Sequence, residues 1–169
     1  MSQENNLRII EGERKIFLVP IAVFTRNGKV FAVREKASSA ERYLKNDWFL
    51  LQGRAWMGEE TGADLTTLAS DCGFNVKVIR KIGSIDSDKN QAFYAGGVVR
   101  FDFYQCEVDA GEFSPVAIHQ VISNKNQLLN LVGRWFSWEE LLKEKSLHPF
   151  IKQTFQFLKN SRRKKISPK

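Results

Sequence analysis

Four carboxylates in one short stretch, Glu59, Glu60, Asp64 and Asp71, carry the first chemical possibility in this chain of 169 residues. Carboxylate oxygens are hard ligands suited to Mg²⁺ or Mn²⁺. On a helix, residues three and four apart share a face. Asp64, Thr67 and Asp71 then fall on one side, and Glu60 lies one turn before Asp64. One reading is a divalent cation held by Glu59 or Glu60, Asp64 and Asp71, with the Gly53 carbonyl as a further ligand. Asp64 and Asp71 are about 10 Å apart along a helix axis, so a single ion reaches both only with help from the preceding loop. The competing reading is an acidic helix start, with Glu59, Glu60 and Asp64 favouring the positive end of the dipole.

Other reactive side chains are scattered. His119 and His148 have no ligand or nucleophile partner nearby in sequence, which points to surface or packing roles. Cys72 and Cys106 lack CxxC spacing and are too few for a disulfide framework, so buried or half-buried thiols are expected rather than nucleophiles. Ala95-Gly96-Gly97 allows close approach of backbone to a ligand, or simply a turn before a strand.

The elements that must position these groups follow from apolar spacing. Ile16–Thr25 and Val30–Arg34 are strands joined by an Asn27-Gly28 turn, and Pro20 suggests an edge position or a bulge in the first of them. Glu35–Asp47 reads as an exposed loop or short helix, and Trp48–Leu51 as a short strand. Ala63, Leu65, Leu68, Ala69 and Cys72 place a helix over about Gly62–Cys72, closed by Gly73. Strands follow over Phe74–Ile82 and Gly97–Val108, with a polar turn at Ser84–Asn90 between them. Near the end, Arg134–Leu142 reads as a strand turning into a helix capped by Ser137 and Glu140, and Pro149–Leu158 as a closing helix. This order predicts a mixed sheet with helices on its faces.

Trp48-Phe-Leu-Leu-Gln-Gly53, five further residues and Glu59 make a recognisable pattern, and Gly73-Phe74 completes it. It resembles the box of the Nudix hydrolases: Gly, five residues, Glu, seven residues, then Arg-Glu-aliphatic-any-Glu-Glu-any-Gly-aliphatic. The resemblance extends over about Ile16–Leu158 and implies an α/β fold, a Nudix-like α/β/α sandwich with a mixed parallel and antiparallel sheet. Thr66-Thr67-Leu68-Ala69-Ser70-Asp71 stands where the family has Arg-Glu-aliphatic-any-Glu-Glu, and one residue is deleted before the helix. Family members use such glutamates to bind the Mg²⁺ that neutralises charge building on phosphoryl oxygens. Thr67 and Ser70 are neutral, and Thr66 replaces the arginine that would brace the loop.

The resemblance makes Glu59, Glu60 and Asp71 candidate catalytic carboxylates, and Gly53, Asp64 and Asp71 a candidate set for Mg²⁺ or Mn²⁺. Arg34 and Lys36, at the end of the second strand, are candidates to meet a phosphate, while Trp56, Phe93 and Tyr94 could stack a base. The implied function is an eroded pyrophosphohydrolase, inactive or weak, that keeps a nucleotide- or RNA-binding cleft or a protein-interaction role. The alternative is a divergent Mg²⁺/Mn²⁺-dependent hydrolase of a nucleoside diphosphate linked to another group.

Composition agrees with one domain: 43% hydrophobic and 27% charged residues fit an ordinary globular chain rather than a disordered or membrane one. No apolar run suits a membrane span, and Met1–Asn6 is polar, so a cytoplasmic location is expected. The net charge of +7 falls to +1 without the six basic residues from Lys159 onward. Residues 1–158 are therefore read as one Nudix-like domain and 159–169 as a basic, disordered tail able to hold RNA phosphates or simply to aid solubility.

Overall fold

The computed structural model describes residues 9–11, 14–36, 47–54, 60–86, 97–114, 117–122 and 125–166. The strands are β1 (Ile9–Glu11), β2 (Arg14–Arg26), β3 (Lys29–Glu35), β4 (Phe74–Asp86), β5 (Gly97–Gly111), β6 (Ala117–Ile122) and β7 (Lys125–Ser137). The helices are α1 (Thr61–Cys72), α2 (Trp138–Leu142) and α3 (Pro149–Ile166). The sheet order is β4-β5-β2-β3-β7-β6, with β1 paired to β2. β2 and β5 run parallel, and the other neighbouring strands are antiparallel.

Asn27 and Gly28 turn β2 into β3 with positive φ values of 53° and 77°, the pairing that matches the twist of a two-residue hairpin. The hairpin opens immediately: only Thr25–Val30 and Arg26–Lys29 pair directly. Residues 48–53 fill the gap. The Ala22 amide donates to Leu51 O at 2.8 Å and the Gly53 amide to Pro20 O at 2.8 Å, while Phe49 and Val33 exchange bonds of 2.8 and 3.0 Å. The short strand expected at Trp48–Leu51 is thus a bridging segment with isolated pairings.

Pro20 is not at an edge. It lies in central β2, in register with Asp102 of β5. Its carbonyl and its missing N–H face the inserted segment, because alternate residues of a strand direct their peptide groups to opposite neighbours. The ladder with β5 therefore loses no donor.

Alternation along β2 and β3 builds two cores. Ala22, Phe24, Phe31, Val33, Phe49 and Leu51 meet Leu65, Leu68, Ala69 and Cys72 of α1. Val19, Ile21, Val23, Val30, Ala32, Trp48 and Leu50 meet Leu141 of α2 and Ile151 of α3 on the opposite face. Burial of both faces explains the near-continuous apolar runs, and the result is the expected α/β/α sandwich.

Several boundaries differ from the sequence reading. β4 continues to Asp86, so Ser84 is a strand residue. β1, β6 and the first part of β7 had no counterpart in it, and the strand end read at Arg134 is the close of β7. Helix α3 runs to Ile166, beyond the expected end at Leu158. Ser137 caps α2 as expected: its Oγ accepts from the Glu140 amide at 3.1 Å and meets Glu140 Oε1 at 3.1 Å.

Candidate functional site

The root of the box is fastened from three sides. β2 and β3 hold residues 48–53 as described, and Gln120 of β6 reaches across to Gln52. Gln120 Oε1 accepts from the Gln52 amide at 2.8 Å, and its Nε2 donates to Gln52 O at 2.9 Å and to His119 O at 2.8 Å. One side-chain amide thereby imitates a neighbouring strand. From the third side, Asp64 Oδ2 accepts from the Arg54 amide. A Cβ on Gly53 would fall on the Asp64 carboxylate, so this close approach requires glycine.

Asp64 is only 3% exposed, because it occupies the α1 face that turns toward the sheet. Glu60 is the exposed N-cap of α1, with no capping bond from its side chain, and its carbonyl accepts from the Asp64 amide at 2.9 Å. The helix ends on Gly73 at φ 92°, whose amide bonds the Ala69 and Ser70 carbonyls. Its outward face carries Thr66, Thr67, Ser70 and Asp71. The threonine hydroxyls donate back to the carbonyls four residues earlier, Thr66 to Gly62 at 2.9 Å and Thr67 to Ala63 at 3.0 Å. Among the described residues, no three His, Cys, Asp or Glu side chains form a group that could hold a metal ion. Asp64 and Asp71 are not brought together: the first is buried against the loop and the second is exposed near the helix end.

β5 supplies a polar floor on the same side of the sheet that the sequence reading missed. Asp102, 4% exposed, accepts from Ser84 Oγ at 2.6 Å and pairs with Lys81 Nζ at 3.3 Å. Burial raises the Tyr104 phenol above its usual value, the Asp102 charge adds to this, and a hydrogen bond with Thr61 opposes it. A lone carboxylate among Val99, Phe101 and Phe103 was the available signal, since a buried acid needs partners.

Arg34 and Lys36 do not join this cluster. Strand parity puts Arg34 with Val30 and Ala32 on the face away from α1, where its guanidinium lies 4.6 Å from the Trp48 ring centroid. The Lys36 amide is tied to Asn130 O at 2.9 Å. Glu59, Trp56, Phe93, Tyr94 and Ala95-Gly96 lie outside the described residues, as does most of Glu35–Asp47. His119 is exposed. Cys72 and Cys106 are buried, and burial pushes both thiols up to about 12, with Asp71 adding to the effect at Cys72. Neither is a thiolate at neutral pH.

His148 has a structural role. Its Nδ1 accepts from the Phe150 amide at 3.2 Å, capping α3 just ahead of Pro149, and its own amide donates to Trp48 O at 2.8 Å. Burial lowers its pKa, against a smaller opposing effect of Asp47. Protonation would remove the Nδ1 lone pair. A depressed value contributes stability that is complete above the unfolded-state value near 6.5 and is lost as pH falls through the folded-state value. His148→Asn keeps an acceptor without the titration, so its melting temperature should fall less than that of wild type on acidification from neutral pH. Equal slopes in the two proteins would refute the cap.

No family sequence model matches the chain, and no curated protein sequence matches it. Solved structures do. A MutT Nudix hydrolase from Burkholderia pseudomallei superposes with a TM-score of 0.55 at 13% identity, covering 83% of this chain and 96% of that one. An ADP-ribose pyrophosphatase from Streptococcus suis gives 0.55 at 18% identity, covering 86% and 91%. The C-terminal domain of mouse MUTYH, solved in complex with human PCNA, gives 0.53 at 15% identity, covering 86% and 88%. The chain has the Nudix fold. No helix among its described residues is long and apolar enough to cross a membrane.

Proposed function

We propose that this chain is a Nudix-fold protein whose pyrophosphohydrolase chemistry is lost or much reduced, and whose cleft beside α1 is retained to bind a nucleotide-derived ligand. The carrying observation is the outward face of α1. Thr66 and Thr67 bond their own helix, Ser70 is neutral, and Asp71 is the one carboxylate on this face. Asp64 is buried and occupied by the loop. These donors do not fit a Mg²⁺ site, which needs several oxygen ligands in near-octahedral array. The ligand class is supported by the similar structure named an ADP-ribose pyrophosphatase. The similar MUTYH domain, solved bound to another protein, favours protein recognition as a second use of the same fold.

The rival is a Mg²⁺- or Mn²⁺-dependent hydrolase using Glu59 or Glu60 with Asp64 and Asp71. Titration calorimetry with Mg²⁺ and Mn²⁺, paired with turnover of nucleoside diphosphate compounds such as ADP-ribose, separates the two. The proposal expects no tight cation site, weak or no turnover, and binding of a nucleotide without added metal. Metal-dependent turnover abolished by Asp71→Ala would establish the rival.

A further inference from the structure

On the sheet face opposite α1, a cleft of about 280 Å³ opens between the β2–β3 turn, β4, β5 and α3. Lys77 and Arg80 of β4 line it with Gln105 and Glu107 of β5, and Trp138 and Leu158 contribute apolar wall. Lys77 stands at a bulge. Val76 pairs with Val108 and Val78 with Glu107, so Lys77 is the extra residue in β4. Bulges of this kind re-aim a side chain.

Arg80 is held in position. Its Nε and Nη2 donate to Gln105 Oε1 at 2.9 and 2.6 Å, Nη1 reaches Ser161 Oγ of α3 at 3.5 Å, and Gln105 Nε2 is anchored on Thr25 Oγ1 at 3.0 Å. Of the five N–H donors of a guanidinium, these bonds leave two without an acceptor among the described residues. Neither Lys77 nor Arg80 has a carboxylate within ion-pair distance among those residues. Arg26, also at the rim, directs its guanidinium elsewhere, to Gly111 O at 2.9 Å and over the Trp135 ring. Glu107 is the carboxylate of the lining and offers an acceptor for a sugar hydroxyl or a base N–H.

Helix α3 passes the cleft at Leu158 and Ser161 and continues as the same helix through Arg162, Arg163, Lys164 and Lys165. Two cations in a cleft with an aromatic side chain suit a flexible polyanion carrying stackable groups. We infer that Lys77 and Arg80 form a phosphate site for single-stranded nucleic acid, RNA or DNA, with Trp138 at the cleft to meet a base and the basic stretch that follows Ser161 in the sequence adding further phosphate contacts. This deepens the RNA-binding reading of the basic segment. It does not use the side of the sheet beside α1 proposed above for a nucleotide, so failure of either leaves the other standing.

The test is fluorescence anisotropy of the full chain with labelled RNA and DNA strands about twelve nucleotides long, at salt from about 50 to 200 mM. Binding should weaken with salt, and each lost phosphate contact should flatten the log–log slope by about 0.7. Lys77→Ala should therefore remove about 0.7, and Lys77→Ala with Arg80→Gln about 1.4, while Lys145→Ala on the α2–α3 connection leaves the slope unchanged. A chain ending at Ser161 should lose more than either. Lys77 is exposed, so its single variant tests the cleft even where the Arg80 variant fails to fold. Preference for one strand type identifies which nucleic acid the site takes. The inference is overturned by a wild-type slope in both Lys77→Ala and the shortened chain, by no binding of either strand at the lower salt, or by capture of anionic vesicles without capture of the strands.

Discussion

Asp64→Ala is expected to destabilise the protein by about 2–3 kcal/mol, a large effect for one side chain on a surface helix. The mutation removes a buried carboxyl acceptor and leaves the Arg54 amide without this partner. A hydrogen bond contributes about 0.5–1.5 kcal/mol, and an amide left without its partner adds a desolvation cost of about 1–3 kcal/mol. At about 2–4 °C per kcal/mol for a chain of this length, the melting temperature should drop by roughly 4–12 °C. Asp64→Asn, which keeps an acceptor oxygen, should recover part of the loss. A metal-ligand role predicts otherwise. Asp64→Ala would then leave the metal-free protein as stable as wild type or more so, and would erase a Mg²⁺-induced rise in melting temperature. Thermal melts of the three proteins with and without Mg²⁺ decide between these roles.

Gln120→Ala should be of similar size, about 2–4 kcal/mol, because it strips partners from both the amide and the carbonyl of Gln52 at once. The loss should appear in denaturant unfolding and as faster hydrogen exchange of the Gln52 amide. Gln120→Glu gives a sharper result. Its carboxylate would still accept from the Gln52 amide but would face the Gln52 carbonyl with negative charge. That raises the folded-state pKa of the new acid, so the variant should regain stability relative to wild type as pH falls and the protonated acid can donate again. A variant as stable as wild type at neutral pH would show that Gln120 does not hold the loop.

The parts of this molecule that were legible in the sequence are those set by local spacing. Leu65, Leu68 and Cys72 recur at helical intervals and Gly73 ends the run, so α1 was placed to within a residue. Asn27-Gly28 named its own turn. The β6–β7 hairpin was hidden because polar residues such as His119, Gln127 and Asn130 interrupt its apolar positions at the edge of the sheet. Gln120 and Asp64 acquire their roles only when distant backbone arrives beside them, and no pattern within their own segments encodes that. Arg34 could be assigned a strand face by parity, but the face chosen by α1 is a tertiary fact. The basic end of α3 has too few apolar residues to pack and so read as a tail. Lysine and arginine are nonetheless good helix formers, and a helix already docked through Ile151 and Leu158 continues through them.

The opening of β2 from β3, filled by residues 48–53, bears on how such a protein can change over generations. Main-chain bonds, the Gln120 amide and the alternating packing of Trp48–Leu51 hold the base of the loop. None of these contacts involves Thr66, Thr67, Ser70 or Asp71. Replacements on an outward helix face usually alter stability by less than about 0.5 kcal/mol. Carboxylates can therefore be removed from that face, or placed on it, with little effect on stability, so in a protein built this way the architecture and the chemistry can vary independently.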